Sequence, residues 1–217
     1  MDPMTSAPVA LISRSETERA GTPLLVLLHG YGSNEQDLMG LLRLLPEEFT
    51  YLSVRAPLPA DPGYSWFPLN QGIDYSLDAV EASVQALWQF LAPQLQQHSS
   101  LSLLGFSQGM AMATSLARYR REAVTAVVGL SGFVVQAPDS QVFDDAKLKA
   151  DPLPLFWGRD VADPVITPQK VEYTMGWVQQ HAQLTHHTYP RIQHSVCAEE
   201  LADVSAFLRA HVLQQAK

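Results

Sequence analysis

The sequence predicts an α/β fold in which helices cover both faces of a mostly parallel central sheet. Short apolar runs of strand length alternate with segments of helical apolar spacing from Leu24 onward, and this alternation is typical of such sheets. The run Leu24–Leu28 is apolar without interruption, as expected for a strand buried on both faces. No shift in composition marks a linker, so the 217 residues are predicted to form one domain over residues 1–217.

Seven segments are predicted as strands because each is a short run rich in apolar residues that stops at a polar or turn-forming residue. The first is an edge strand, and we expect residues 1–8 at the start of the chain to be loosely attached. In chain order the predicted strands are residues 8–12, 24–28, 51–54, 101–104, 125–130, 153–157 and 184–189.

The helices are predicted from apolar residues at helical spacing and from residues that cap a helix N-terminus. Ser33 with Gln36 has the pattern of a capping box, and four leucines follow it at helical spacing. Thr167 is predicted as the N-cap of a later helix because Pro168 suits the first helical position. The remaining segments are predicted helices over residues 78–97, 110–117 and 197–212, a long irregular loop over 55–76 and a surface excursion over 134–151.

One stretch combines a strand, a sharp turn and a helix. Gly105-Phe106-Ser107-Gln108-Gly109 forms the turn between the strand at 101–104 and the helix at 110–117. A Gly-x-Ser-x-Gly turn in this setting holds its serine in a strained backbone conformation, with the hydroxyl clear of both elements. The two glycines lack a Cβ, so strand and helix can approach closely. We therefore predict that Ser107 is a nucleophile; the alternative is a serine in an ordinary strand–helix turn.

A serine hydroxyl becomes an effective nucleophile when a base takes its proton and an acid orients that base. In a sheet of this type the acid follows a late strand and the histidine follows the last one. His194 lies between the last predicted strand and the last predicted helix, so we predict it as the base. His181 ends a helix, and His186 and His187 lie within the last strand; these three are its competitors.

Two aspartates compete for the position of the acid, because both lie in the loop after the strand at 153–157. Asp163 is preferred, since Pro164 follows it and fixes the direction of the chain. Asp160 is the alternative. Either residue could instead shape the turn through bonds from its carboxylate to nearby backbone N–H groups.

The predicted reaction also needs N–H donors for the negative charge that develops on the substrate oxygen. We predict the backbone N–H groups of Gln108, directly after the serine, and of Tyr31, in the turn after the first buried strand. Trp66 and Phe67 lie in the loop at 55–76, and long ordered loops are usually functional. They either line the apolar wall of a substrate pocket or anchor the loop to the core.

Charge and composition argue against several classes of function. A net charge of −8 without a basic run argues against a nucleic-acid partner. No run approaches the length of a membrane span, and the N-terminus lacks the pattern of a signal peptide. The single cysteine, Cys197, leaves no internal disulfide, so we expect a cytoplasmic protein. The histidines lack the spacing of a metal motif, and we expect no metal and no organic cofactor.

Four motifs together resemble the phospholipase/carboxylesterase family of α/β-hydrolases, which includes the acyl-protein thioesterases. In chain order they are Leu28-His29-Gly30-Tyr31-Gly32, Gly105-Phe106-Ser107-Gln108-Gly109, Asp163-Pro164-Val165-Ile166 and His194. The resemblance implies an α/β-hydrolase fold without a large cap domain, and cleavage of carboxylic esters through an acyl-enzyme on Ser107. It places the family's triad on Ser107, Asp163 and His194, and its oxyanion donors on Tyr31 and Gln108.

The sequence departs from the family pattern near the predicted site. Tyr31 stands where leucine is frequent, and Gln193 precedes His194 where glycine is frequent. The proline that usually follows the acid closely is delayed to Pro168. The geometry of the histidine loop is therefore less firmly predicted than that of the serine turn.

We expect a serine carboxylesterase for short to medium acyl esters of small-molecule or lipid-like substrates, acting as a monomer or homodimer. Thioesters and lysophospholipids are further candidate substrates. The alternatives are a lactone hydrolase or peptidase on the same fold and a ligand receptor without catalysis. The presence of Ser107, Asp163 and His194 together argues against the receptor.

Overall fold

The computed structural model describes residues 8–70 and 73–214. Apart from Pro8, the residues that we expect to be loosely attached at the N-terminus lie outside this description. The strands are β1 (Ala10–Ile12), β2 (Leu24–Leu28), β3 (Thr50–Val54), β4 (Leu58–Ala60), β5 (Gly63–Ser65), β6 (Leu101–Phe106), β7 (Val124–Leu130), β8 (Leu153–Arg159) and β9 (Ala182–Thr188).

Six α-helices alternate with these strands in the described residues. They are α1 (Glu16–Arg19), α2 (Leu77–Leu91), α3 (Gln108–Tyr119), α4 (Asp145–Ala150), α5 (Pro168–His181) and α6 (Ala198–Leu208). Shorter 3-10 helices cover Leu38–Leu44, Ala92–Gln97 and Arg121–Ala123, and a π-helical turn covers Arg209–Leu213. The predicted N-cap of α5 is confirmed, because the Thr167 hydroxyl accepts the Lys170 N–H.

Seven of the strands form one sheet in the order β1-β3-β2-β6-β7-β8-β9. β1 runs antiparallel to β3, and every other neighbouring pair is parallel. The predicted mostly parallel sheet is therefore confirmed. β2 and β6 lie side by side, with Leu28 opposite Gly105. Because parallel strands end at the same edge of a sheet, the loops after β2, β6, β7, β8 and β9 meet there.

The core consists of one apolar layer on each face of the sheet. Leu24, Val26 and Leu28 pack in the layer beneath α2, α3 and α5, whereas Leu25 and Leu27 pack in the layer beneath α6 and the 3-10 helix Leu38–Leu44. Successive side chains of a strand point to opposite faces. A strand covered on both faces must therefore be apolar at every position, which explains the uninterrupted run in β2.

The prediction of a capping box at Ser33 is wrong. The Ser33 hydroxyl donates to the Asp37 carboxylate, and the helix begins only at Leu38, as a 3-10 helix. The side chain of Asn34 accepts the Gln36 N–H, so a local turn replaces the first helical turn. The backbone of Ser33 also forms an isolated β-bridge with the β4–β5 hairpin, which lies within the loop predicted to be irregular.

The prediction of a surface excursion over residues 134–151 is wrong for its apolar residues. Val135, Phe143 and Leu148 are buried, and the segment contains α4. The guanidinium of Arg118 reaches it from α3, donating to the Val135 carbonyl and, through two nitrogens, to the Asp145 carboxylate. Arg118 is fully buried, and its charge is balanced by a bidentate ion pair.

Candidate active site

Ser107 lies in the sharp turn between β6 and α3, at the carboxyl edge of the sheet. Its backbone has φ 55° and ψ −116°, a strained conformation for a residue with a side chain. Glycine is required on both sides of it. A Cβ on Gly109 would overlap the Leu28 carbonyl oxygen, and a Cβ on Gly105 would overlap the backbone of Gly109. The turn therefore has the geometry of a nucleophile elbow.

Ser107, His194 and Asp163 form a continuous chain of hydrogen-bonding side chains. His194 Nε2 is 3.0 Å from Ser107 Oγ, and His194 Nδ1 is 2.9 Å from Asp163 Oδ2. The second carboxylate oxygen of Asp163 accepts the N–H groups of Val165 and Ile166. The Asp163 side chain is 1% exposed, against 18% for His194, so the acid is shielded while the histidine faces the cleft.

Asp160 has a different set of partners. Its Oδ1 accepts the Ala162 N–H at 2.9 Å, and its Oδ2 accepts the Gln193 N–H at 2.8 Å. These backbone N–H groups hold the pKa of Asp160 below its ordinary value, because they favour the charged carboxylate. Asp160 therefore joins the loop of Asp163 to the loop of His194, and it is Asp163 that bonds to the histidine.

Tyr31 and Gln108 both line the cleft beside Ser107. Gln108 is the first residue of α3, where the backbone N–H has no partner within the helix. Over residues 8–70 and 73–214, no hydrogen-bond acceptor is assigned to either N–H. Both donors are therefore free to bind an oxygen that carries negative charge.

The cleft beside Ser107 is mostly apolar and has a volume of about 240 Å³. Its wall consists of Leu69, Ile73, Phe106, Phe133, Val165 and Ile166, together with the Ser107, His194, Gly30, Tyr31 and Gln108 positions. Tyr31 and Val165 are exposed at its rim. Apolar pockets with a few polar groups at one end are usual for small organic ligands.

Trp66 and Phe67 do not line this cleft. They are 2% and 0% exposed and belong to the core layer beneath α2 and α3. The cleft wall that the sequence analysis missed comes from Leu69 and Ile73, further along the same loop, and from Phe133, after β7. A signal was present for Phe133, because ligands bind at the carboxyl ends of parallel strands.

His29 is a structural residue. Its ring is fully buried, and Nε2 accepts the Ala56 N–H at 3.1 Å, so the proton lies on Nδ1 and is donated to the Gly30 carbonyl. Burial lowers the pKa of His29, which keeps the ring neutral. Of the competing histidines, His181 bonds to the Trp177 carbonyl, and the other two pack in β9: His186 against Trp157, His187 against Phe156 and Tyr189.

Within the described ranges, no three side chains of His, Cys, Asp or Glu come together as metal ligands. Nor does any helix there have the length and apolarity to cross a lipid bilayer.

A family model described as Phospholipase/Carboxylesterase matches residues 12–212. The chain belongs to this family. Among curated family relatives, acyl-protein thioesterase 1 of Debaryomyces hansenii is 29% identical over 166 residues, 70% of each chain. Acyl-protein thioesterase 1 of Mycosarcoma maydis is 26% identical over 86% of this chain and 90% of its own.

Solved structures show the same architecture. Esterase PE8 is 25% identical and superimposes with a TM-score of 0.78, covering 95% of this chain and 100% of its own. The carboxylesterase of Bacillus cereus is 19% identical, with a TM-score of 0.79 over 97% of this chain and 100% of its own. The predicted α/β-hydrolase fold is confirmed. Family membership makes this chain a hydrolase of the esterase and thioesterase class.

Proposed function

We propose that the chain is a serine carboxylesterase that cleaves short to medium acyl esters through an acyl-enzyme on Ser107. The observation that carries this proposal is the hydrogen-bonded chain Ser107–His194–Asp163 at the elbow, with distances of 3.0 and 2.9 Å. A serine, a base and an acid in this arrangement activate the hydroxyl for attack on a carbonyl carbon.

Each step of the proposed mechanism is assigned to one residue of the site. The Asp163 carboxylate holds a proton on His194 Nδ1, so Nε2 is free to accept the Ser107 proton as Oγ attacks the ester carbonyl. The negative charge on the carbonyl oxygen is stabilised by the N–H groups of Tyr31 and Gln108. His194 then protonates the leaving alcohol, and a water molecule repeats the cycle on the acyl-enzyme.

The size of the cleft supports a limit on the acyl group. A cavity of about 150 Å³ binds benzene, which corresponds to about 25 Å³ for each non-hydrogen atom. By the same measure, the cleft of about 240 Å³ takes about ten such atoms. An acyl chain of six to eight carbons with its ester group fills that space, and a longer chain must extend into solvent.

Thioesters are the second candidate substrates, because several curated relatives are named acyl-protein thioesterase 1. A thioester presents the same carbonyl to Ser107 and differs only in its leaving group.

The test is hydrolysis of p-nitrophenyl esters from acetyl to dodecanoyl, with acyl-coenzyme A thioesters of the same lengths in parallel. We expect turnover that peaks at or below eight carbons and is lost in Ser107→Ala and His194→Ala. Ser115→Ala is the matched control, because this fully buried serine lies on α3 outside the cleft. Equal turnover by wild type and Ser107→Ala would contradict the proposal.

A further inference from the structure

A buried bridge connects the two segments that carry the candidate oxyanion donors. The indole Nε1 of Trp66 donates to the His29 carbonyl at 2.9 Å, and the Trp66 backbone N–H donates to Gln108 Oε1 at 3.0 Å. Gln108 Nε2 in turn donates to the Phe67 carbonyl at 2.7 Å. All four residues are 2% exposed or less, so water does not compete for these bonds.

The two ends of this bridge lie next to the donors. His29 is two residues before Tyr31, in the turn after β2, and Gln108 is itself a donor through its backbone N–H. The His29 ring also contacts the Trp66 ring, with 5.4 Å between centroids, and bonds to the Gly30 carbonyl. The buried ring of His29 therefore fixes the turn that carries Tyr31. Trp66 connects the same turn to the side chain of Gln108.

An oxyanion hole depends on the distance between its donors. Each N–H must lie within hydrogen-bond distance of the oxygen as it becomes charged, and a donor that has to move first loses part of its effect. Gln108 is held by α3, but Tyr31 lies in a turn and its side chain is half exposed. The contacts that fix this turn therefore decide whether both donors reach one oxygen.

We propose that Trp66 is a positioning residue of the oxyanion hole, acting through the His29 carbonyl on one side and the Gln108 side chain on the other. This proposal rests on the proposed function. It also gives Gln108 two separate roles: its backbone N–H binds the oxyanion, and its side chain fixes the bridge. Trp66 touches no substrate, since it lies behind the cleft wall.

The test distinguishes the effect of the indole N–H of Trp66 from the effect of the size of its ring. Trp66→Phe retains an aromatic ring and removes the bond to the His29 carbonyl. We expect kcat and kcat/KM for a p-nitrophenyl ester to fall together, about tenfold, because the loss is confined to the transition state. Affinity for a tetrahedral analogue, such as an alkyl boronic acid, falls by the same factor. KM and the pH profile of kcat/KM stay as in wild type.

The matched control is Trp177→Phe. Trp177 is similarly buried, and its indole N–H also makes one hydrogen bond, to the Asp145 carboxylate, away from the cleft. Activity is expressed per site titrated with a fluorophosphonate, so misfolded protein is not counted. A merely structural role for Trp66 predicts that both variants lose stability and that neither loses affinity for the boronic acid.

Gln108→Met breaks the bridge at its other end and leaves the backbone N–H in place. It is expected to reproduce the loss in kcat, and the double variant with Trp66→Phe is expected to be no worse than either single variant. If the Trp66→Phe variant does not fold, the Gln108→Met variant decides the question. A kcat of Gln108→Met equal to that of the wild-type protein then overturns the proposal. A wild type that neither turns over esters nor reacts with the fluorophosphonate contradicts the proposed function instead.

Discussion

The carboxylate of Asp160 accepts the backbone N–H of Gln193, the residue directly before His194, at 2.8 Å. Through its other oxygen it bonds within its own loop, three residues before Asp163. This buried carboxylate therefore connects the loop of Asp163 to the loop of His194. Gln193 has a φ of 55°, so this bond also stabilises a backbone conformation that residues with side chains rarely adopt.

The two aspartates are expected to respond differently to the same substitution. Asp163→Asn keeps the loop but favours the wrong tautomer of His194, and the corresponding change in serine proteases costs about 10⁴ in kcat. In Asp160→Asn the side-chain amide N–H faces a backbone N–H, so two donors oppose each other and one hydrogen bond between the loops is lost. We expect a clearly lower thermal midpoint and a smaller loss of kcat, about tenfold to a hundredfold. Steady-state kinetics and thermal unfolding of both variants test this, and a larger loss of kcat in Asp160→Asn contradicts it.

Glu200 is expected to make the stability of the fold depend on pH. It lies in the first turn of α6 against Gly158, and in the described part of the chain neither carboxylate oxygen has a hydrogen-bond partner. Burial raises the pKa of Glu200 to about 7. The folded state thus binds this proton more tightly than the unfolded state, so stability falls as pH rises from about 4.5 to 7 and then levels off.

Glu200→Gln removes this ionisation and keeps the shape of the side chain. We expect the variant to be more stable than wild type above pH 7, by about 3 kcal/mol at most, with the difference vanishing near pH 4.5. Urea unfolding at about pH 5 and pH 8.5 measures it. The control is Glu199→Gln, an exposed neighbour on the same helix. A gain that is equal at both pH values would contradict the prediction.

Two glycines on helices are expected to give opposite results when changed to alanine. At Gly109 the new methyl group would overlap the Leu28 carbonyl oxygen, so Gly109→Ala should displace the elbow and abolish both activity and fluorophosphonate labelling. At Gly176, within α5, a Cβ meets no atom within 4 Å beyond the adjacent residues and the backbone of its own helix. Gly176→Ala should therefore stabilise the fold by about 0.5–1 kcal/mol, because alanine loses less entropy in a helix. Urea unfolding and ester turnover measure both effects.

We expect the cleft wall to limit the length of the acyl chain. Leu69→Ala removes three carbon atoms from a half-buried position of the wall, so the preferred acyl chain should lengthen by about two or three carbons. The chain-length profile of p-nitrophenyl ester hydrolysis shows the shift. Leu44→Ala, at a leucine that is 41% exposed and outside the cleft, should leave the profile unchanged. An unchanged optimum in Leu69→Ala would show that this side chain does not limit the acyl group.

The sequence predicts best what depends on local pattern. The uninterrupted run in β2 and the glycines around Ser107 determine a buried strand and a sharp turn, and both are found. The loop at 55–76 was less predictable, because its aromatic residues look alike in sequence. Only the partners of Trp66, which come from the turn after β2 and from α3, show that it anchors the loop rather than lining the cleft.

The wrong predictions have one cause in common: contacts with residues distant in the sequence outweigh the local pattern. At Ser33 a bridge to the distant hairpin and a turn at Asn34 outweigh a local helix signal. The mostly polar segment 134–151 packs on the core because the buried guanidinium of Arg118, on α3, bonds to the Val135 carbonyl and to the Asp145 carboxylate. Asp160 and Asp163 lie in the same loop, where the sequence favours Asp163 through Pro164 alone; the structure separates them by their partners, the Gln193 N–H for Asp160 and the His194 ring for Asp163.

The loop between β3 and α2 divides at Phe67. Before that point Trp66 bonds to the His29 carbonyl and to the Gln108 side chain, and after it Leu69 and Ile73 form part of the cleft wall. The residues that bond to the site and the residues that line the cleft thus belong to consecutive segments of the loop, before and after Phe67. We therefore expect substitutions in the second segment to alter selectivity and to leave the proposed chemistry intact, so this short stretch is where substrate range would evolve.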